Sequence, residues 1–249
     1  MRISRHAILT RLFSVLTALA LLGGLVPLAS AAQAEEVTLG IFSTSDMQGR
    51  YTAQNPLTGE KESVSYLKVS TAVAQQRKLV DASILIDAGD ALDGSFQSWY
   101  STTQRTGGSN PLATVLRYIG YDVFVPGEGE FRFSQAQREE FFDQLTSQSG
   151  TVGEPVSILA ANYLSDKNQT PQEQSYEVFS VQAGGRTFRI GVLGLTATDI
   201  PDQVPAANCS GSLFAHEDNT AGSLAWEWKQ YWQGYLRQTL ECDLVVVVC

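Results

Sequence analysis

The chain has 249 residues and a formal net charge of −9, and 43% of its residues are hydrophobic. An acidic surface of this kind disfavours binding to a nucleic-acid backbone. Three cysteines are too few for a small disulfide scaffold, although they are compatible with export.

The first 34 residues predict a secretory signal peptide. A basic start precedes an apolar stretch, Leu12–Leu25, and small-residue cleavage patterns end at Ala31 and Ala34. The alternative is an uncleaved membrane anchor, but the apolar stretch is shorter than a bilayer span of about 20 residues. We therefore expect a secreted or periplasmic protein, whose mature residues 35–249 form one domain without membrane association.

Helices and strands alternate in the first part of the mature chain. Short apolar runs that end in polar turns predict strands, and apolar residues at helical spacing predict helices. The predicted elements are a strand at Val37–Thr44, a loop at Tyr51–Glu62, a helix at Val64–Val80, a strand at Ile84–Asp87, a helix that begins after Asn110 and ends at Gly120, a strand at Asp122–Pro126, a helix capped by Ser134 and Gln137, and a strand at Val156–Asn162.

The last third predicts a hairpin followed by one more helix and strand. Strands at Tyr176–Gln182 and Thr187–Leu195 flank a Gly-Gly turn. A loop at Ile200–Asn219 precedes an amphipathic helix that runs from Leu224 to Tyr235, and Asp243–Cys249 predicts a buried final strand. This order predicts an α/β fold with a mostly parallel central sheet.

The cysteines leave one possible disulfide. Cys242 and Cys249 flank the final strand, so at about 3.3 Å per residue they lie about 23 Å apart and cannot pair. A bond between Cys209 and Cys242 is possible and would leave Cys249 free.

Acidic and glycine residues follow three of the predicted strands. These corners are Asp46-Met47-Gln48-Gly49, Gly89-Asp90 and Gly127-Glu128-Gly129-Glu130. One such corner alone is best explained as an ordinary polar turn. Three in succession point to one site at the carboxyl edge of a sheet, rimmed by oxygen ligands for divalent ions. A central carboxylate such as Asp90 suits a bridge between two metals.

These motifs resemble those of the secreted 5′-nucleotidases, which are calcineurin-like metallophosphoesterases. The Asp-x-His-Gly motif is matched by Asp46–Gly49 and the Gly-Asp-x-x-x-Gly motif by Gly89–Gly94, while Gly127–Phe131 lies over Gly-Asn-His-Glu-Phe. Ala160–Asn162 and Gly191–Thr196 resemble two later strands of the family. The resemblance implies a four-layer α/β/β/α sandwich with a two-metal site, made of Asp46, Gln48, Asp90 and Glu128, that hydrolyses phosphate esters such as nucleotides.

The chain departs from the family at ligand positions. Gln48 replaces a histidine, Glu128 replaces an asparagine, and Gly129 replaces the histidine that assists the leaving group. The later histidine motifs and the C-terminal substrate domain are absent, so the sandwich is expected to be incomplete at its C-terminal end. One histidine, His216, remains in the mature chain, and its polar loop favours a solvated side chain.

Three functional interpretations remain open. The first is a secreted, metal-dependent phosphoesterase of the 5′-nucleotidase type that uses Zn²⁺, Mn²⁺ or Mg²⁺, as one ion or as two. The second is a non-catalytic relative that binds a phosphorylated ligand or a partner, and the third is a truncated fragment. We expect weak metal binding that depends on Asp90, and little turnover.

Overall fold

A four-stranded parallel sheet forms the first half of the fold. The computed structural model describes residues 36–148, 152–215 and 232–249, and its residues from Val37 onward belong to one compact unit. The predicted signal peptide and most of the helix predicted from Leu224 lie outside the described residues. The strands of this sheet, in spatial order, are β1 (Leu39–Thr44), β2 (Ala82–Asp87), β3 (Val123–Phe124) and β4 (Ser157–Ile158).

Two further sheets complete the β structure. β5 (Tyr163–Ser165) pairs with a strand from the region predicted as loop, and a hairpin pairs in parallel with the last strand. The remaining strands are β6 (Tyr176–Ala183), β7 (Arg186–Gly194), β8 (Ser212–Phe214) and β9 (Leu244–Val248).

The helices lie mostly between the strands of the parallel sheet. A 3₁₀ turn, Arg77–Leu79, extends the first helix, and a short π-helical segment, Tyr235–Thr239, precedes β9. The α-helices are α1 (Tyr66–Gln76), α2 (Phe96–Thr103), α3 (Pro111–Ile119), α4 (Glu128–Phe131), α5 (Gln135–Thr146) and α6 (Ile200–Gln203).

The side chains of β2 alternate between the two faces of the sheet, and each face forms one internal interface of the sandwich. Leu85 faces the helices and packs in a cluster with residues such as Leu116 and Phe141. Ile84 and Ile86 point the other way, into a cluster that contains residues of β7 and β9. The period of two along a strand explains this division.

The opposite face of β7 forms a third interface. Leu193 packs with Leu236 of the π-helical segment, and a Cβ at Gly191 would lie 3.0 Å from the Cys242 sulfur. The described layers are therefore helices, parallel sheet, second sheet and helical segment. This is the expected α/β/β/α arrangement.

Two helices have capping residues at the positions that the sequence predicts. Asn110 Oδ1 accepts a hydrogen bond of 3.0 Å from the Leu112 amide, and Gly120 ends α3 with a φ of 80°. Ser134 and Gln137 form the capping box of α5. A short polar side chain at the N-cap and a left-handed residue at the end satisfy backbone groups that the helix leaves unpaired.

Other predictions were wrong or incomplete. The loop predicted at Ile200–Asn219 contains α6, a 3₁₀ turn and β8, while α2 and β5 were not predicted. The final strand was predicted to be buried, but among the described strands β9 pairs only with β7, and Val247 is 54% exposed. The possible disulfide is absent, because Cys209 and Cys242 are free thiols in separate clusters.

Candidate functional site

The loops after β1, β2 and β3 meet at the carboxyl edge of the parallel sheet. We call residues 45–49, 88–95 and 126–131 the corner edge. The Asp46 amide donates to the Gly89 carbonyl at 3.0 Å, and the Gln48 amide donates to the Asp90 carbonyl at 2.9 Å. The first two loops thus run side by side beyond the strands. Because the strands are parallel, their carboxyl ends carry all three corners on one side.

Three candidate ligands have left-handed backbone conformations. The φ angles of Asp46, Gln48 and Asp90 are 54°, 52° and 52°. Residues other than glycine adopt this region at a cost of about 1–3 kcal/mol when it is strained, and such residues cluster at functional sites. The fold therefore places three predicted site residues in the left-handed region, which Asp adopts more readily than Gln does.

Two glycines make room for the carboxylate of Asp90. A Cβ on Gly127 would lie 2.7 Å from Asp90 Oδ1, and a Cβ on Gly129 would lie 3.0 Å from the same atom. The Gly129 amide donates to this oxygen at 2.5 Å. Position 129 therefore supplies a backbone donor to Asp90.

Burial raises the pKa of Asp90, and the nearby charges of Asp46 and Glu128 raise it further. The Gly129 amide and the Arg132 guanidinium oppose this change in pKa. The three carboxylates predicted to converge therefore interact electrostatically. An arrangement of negative groups that raises a pKa in this way attracts a cation.

A fourth carboxylate, Glu130, lies beneath the corner edge and was not among the predicted site residues. It is fully buried, and it accepts hydrogen bonds from the amides of Asp90, Ala91, Leu92 and Gly127 at 2.8 to 3.1 Å. Burial raises the pKa of Glu130 to about 8, although these amide donors favour its ionised form. Glu130 thus ties the second corner to the third.

Asp87 anchors a second polar network under the first two corners. Its Oδ2 accepts hydrogen bonds from Thr44 Oγ1 at 2.7 Å and from the Tyr66 hydroxyl at 2.8 Å. The Tyr121 hydroxyl lies 2.7 Å from Thr44 Oγ1. Burial raises the pKa of Asp87 to about 6 and the pKa of Tyr66 well above its usual value. The network supports the loops from inside, because none of its carboxylate or phenol groups reaches the surface.

Arginines contact two of the residues that depart from the motifs of the resembled family. Arg132 Nε and Nη2 donate to Glu128 Oε1 at 2.8 and 2.5 Å, and Arg132 Nη1 lies 3.4 Å from Asp93 Oδ2. Arg50 Nη2 donates to Gln48 Oε1. The i,i+4 spacing of Glu128 and Arg132 was a signal for this pair, because a helix places such residues on one face. The Arg50 contact lies in a loop and has no comparable signal.

In the part of the chain that the structure describes, the donor set does not match a two-metal centre. Across the described ranges, no group of three or more His, Cys, Asp or Glu side chains is arranged to hold a metal ion. Neither histidine of the chain falls within those ranges. Asp46 and Asp90, together with the oxygens of Gln48 and Glu128, remain the candidate ligands for one divalent ion.

Comparisons with known proteins find similarity in structure alone. No protein-family model and no curated protein sequence matches the chain. The structure is similar to the calcineurin-like phosphoesterase YfkN from Bacillus subtilis, with a TM-score of 0.69 and 14% identity over 85% of this chain and 61% of that one.

Two nucleotidases have similar structures. A putative 5′-nucleotidase from Staphylococcus aureus has a TM-score of 0.65 and 21% identity, over 85% of this chain and 37% of that one. The NAD nucleotidase NadN from Haemophilus influenzae has a TM-score of 0.57 and 18% identity, over 85% and 38%. The chain thus spans between 37% and 61% of the length of these proteins. From its sheet order, its corners and these similarities, the chain has the fold of the calcineurin-like phosphoesterases and 5′-nucleotidases.

Proposed function

We propose that this chain is a metal-dependent phosphoesterase of the 5′-nucleotidase type with slow turnover. The observation that carries the proposal is the convergence of three corners on one sheet edge, with Asp46, Gln48 and Asp90 in left-handed conformations. Strained residues cluster at ligand sites, and here three of them lie in two corners that backbone hydrogen bonds join. The similar structures are those of a phosphoesterase and two nucleotidases, which supports the same reaction class.

The proposed metal is a single Zn²⁺, Mn²⁺ or Mg²⁺ ion held by Asp46 and Asp90. Gln48 would be a weaker ligand, and Arg132 would compete with the ion for Glu128. When bound, such an ion supplies positive charge that polarises a phosphoryl oxygen and lowers the pKa of water. Asp90 is held for this role by the Gly129 amide, and Glu130 fixes the loop around Asp90. Glu128 is available only when Arg132 releases it, which weakens the site.

The proposed substrate is a small phosphorylated molecule such as a nucleotide. The net charge of −9 disfavours long nucleic acids, because their affinity depends on many phosphate contacts. Arg50 and Arg132 can exchange their present partners for phosphate oxygens, since guanidinium groups bind carboxylate and phosphate in similar ways. We propose secretion or periplasmic location from the signal peptide pattern. None of the helices within residues 36–148, 152–215 and 232–249 has the length and apolar character that a bilayer crossing requires.

Slow turnover follows from the lack of a side chain at position 129, which is glycine. An amide on Gly129 points at Asp90, whereas a histidine side chain there would assist the leaving group. General acid–base catalysis is typically worth about 10²–10⁴ in rate, so its loss leaves a slow enzyme. An amide oxygen at Gln48 is also a weaker ligand than an imidazole for Zn²⁺ or Mn²⁺.

A second candidate function is binding of a phosphorylated ligand without hydrolysis. The specific observation in its favour is that Arg50 contacts Gln48 and Arg132 contacts Glu128, so that cationic side chains occupy two of the four candidate ligands. A guanidinium group can neutralise phosphate without metal. In this alternative, phosphate binding would be insensitive to chelators.

The test is hydrolysis of AMP and of an aryl phosphate by the purified chain, with Mn²⁺, Zn²⁺ or Mg²⁺ added in turn. We expect slow, metal-dependent hydrolysis that disappears in Asp90→Ala and persists in Asp166→Ala, a matched change at an exposed carboxylate. Metal-independent binding of AMP without turnover would favour the second candidate. Hydrolysis that survives in Asp90→Ala would refute the assigned site.

A further inference from the structure

The loop between β1 and α1 folds back on itself and forms one wall of a cavity. Gln54 and Lys61 make an antiparallel bridge, and between them the Asn55 amide donates to the Glu60 carbonyl at 2.8 Å. The Asn55 side chain accepts a hydrogen bond of 2.9 Å from the Leu57 amide, as is common in tight turns. Side chains of α1 and α2 line the same cavity. The loop therefore has a defined backbone shape, although its sequence predicts neither helix nor strand.

The cavity has a volume of about 530 Å³, which is the size of cavity that small organic ligands occupy. Lys61 and Lys68 line it together with Thr52, Pro56 and Gln97, and we call it the lysine cavity. Among the described residues that line it, none is Asp or Glu. Its charge is thus opposite in sign to the net charge of −9 of the whole chain. A cleft lined by one sign of charge concentrates ligands of the other sign.

One of the two lysines is held in place, and the other has no partner. Lys68 Nζ donates to the carbonyls of Glu62 and Ser63, at 3.0 Å for the second. Because an ammonium group has three donors, one of them remains for a ligand. The Lys61 ammonium makes no hydrogen bond or ion pair with any residue that the structure describes. The cavity therefore offers an anion one positioned cation and one unpaired cation.

Gln97 forms the boundary between the lysine cavity and the corner edge. Its Oε1 accepts from Thr52 Oγ1 at 3.0 Å, and its Nε2 donates to the Gly49 carbonyl at 3.1 Å. Both ends of the amide group are thus occupied by the protein itself. None of the four candidate metal ligands lines the lysine cavity. The two lysines and the candidate metal ligands therefore belong to two different sites.

We propose that the lysine cavity binds a small organic anion through Lys61 and Lys68. The anionic group is a carboxylate or a phosphate, since an ammonium group binds either one as a point charge. Ala53, Pro56 and the lysine stems supply apolar contacts for the carbon skeleton of such a ligand. The inference goes beyond the proposed function, because binding in this cavity needs neither a metal ion nor hydrolysis.

Calorimetry of the purified chain with glycerol 3-phosphate and with succinate, both in EDTA, tests the proposal. We expect binding, and the probe that binds more tightly identifies the anionic group. Lys61→Gln and Lys68→Gln should each weaken binding about tenfold, because a hydrogen bond to a charged group contributes about this factor. Lys68→Arg keeps the charge and should retain most of the affinity. Thermal unfolding checks that each variant folds.

The matched control is Lys167→Gln, which removes an exposed lysine outside the cavity and should leave binding unchanged. Equal weakening by Lys167→Gln would reveal a general effect of charge and overturn the proposal. No binding of either probe up to about 10 mM would also overturn it.

Two further variants separate the lysine cavity from the corner edge. Binding that Arg132→Ala weakens and the Lys61 and Lys68 variants do not would place the anion at the corner edge, and would overturn the lysine cavity. Binding that the Lys61 and Lys68 variants weaken and Asp90→Ala leaves unchanged would support the lysine cavity. This result would hold whether or not the chain hydrolyses phosphate esters, so failure of the proposed function would be recognised separately.

Discussion

At the scale of single residues, backbone groups rather than side chains position the central carboxylate. Asp90 Oδ1 accepts from the Gly129 amide, and the absence of a side chain at Gly127 leaves space beside the same oxygen. Glycine is required there by close approach, since the φ of Gly127 is −96°, which other residues adopt readily. Substitution at this position therefore tests packing against Asp90 rather than backbone strain.

Gly127→Ala should destabilise the fold by about 1–3 kcal/mol, the usual cost of forcing extra atoms into a packed site. Its Cβ would lie 2.8 Å from the Asp90 amide nitrogen, so the second corner has to shift. Urea unfolding measures the free energy of unfolding. The matched control is Gly234→Ala, where a Cβ meets nothing within 4 Å and φ is −65°. Equal stability of the two variants would contradict the close approach described here.

Arg132 would compete with the proposed metal ion for Glu128. Its side chain is 52% exposed, and it contacts both Glu128 and Asp93. Removing one positive charge near a cation site in a polar surface region strengthens cation binding by about 1 kcal/mol, or roughly fivefold. Arg132→Ala should therefore tighten Mn²⁺ binding measured by calorimetry, whereas Arg186→Ala, at the hairpin turn, should leave it unchanged. Weaker Mn²⁺ binding in Arg132→Ala would show that Arg132 organises the site instead.

At the scale of elements, predictions succeeded where local chemistry specifies the structure. The apolar run of β2 and the cap at Asn110 are signals carried by adjacent residues. Helix α2 escaped prediction because its aromatic face lies outward, so its pattern does not mark a core. The positions of the candidate site residues followed the same rule. The corner carboxylates were predictable from strand ends, whereas the roles of Glu130 and Arg50 depend on contacts that only the folded chain makes.

Asn110→Ala tests the predicted cap of α3. Asn110 is 2% exposed, and its side chain accepts from the Leu112 amide and donates to Thr102 Oγ1 at 3.2 Å. Loss of an N-cap costs about 0.5–2 kcal/mol. We expect a lower unfolding midpoint in urea for this variant. Asn168→Ala removes the side chain of an exposed turn residue. It should change the free energy of unfolding by less than about 0.5 kcal/mol. A larger effect at position 168 would argue against the importance of the buried cap.

At the scale of the whole molecule, buried carboxyl groups make stability depend on pH. Burial raises the pKa of Asp87 from 3.8 to about 6 and that of Glu130 from 4.5 to about 8. Between the unfolded and folded pKa values, the native state binds more protons than the unfolded state. The stabilising contribution of these protons is present below about pH 4 and is lost as pH rises through 6 and then 8.

The free energy of unfolding should therefore fall between pH 5 and pH 8.5 by about 1 kcal/mol or more. Urea midpoints at a series of pH values measure this change. In Glu130→Gln the urea midpoint should change less between pH 6.5 and 8.5, because the amide side chain does not titrate in this range. A midpoint that rises with pH over this interval would mean that the four amide donors outweigh burial at Glu130.

The backbone bonds between the first two corners also govern how the site opens. The amides of Gln48 and Gly49 donate to carbonyls of Asp90 and Ala91, so each bond closes a loop of about forty residues that includes α1 and β2. Such bonds form late in folding, after the sheet brings distant segments together. Their amide hydrogens should exchange with solvent only through the largest opening of the domain, together with those of β2. Fraying of either corner by itself would expose them much sooner.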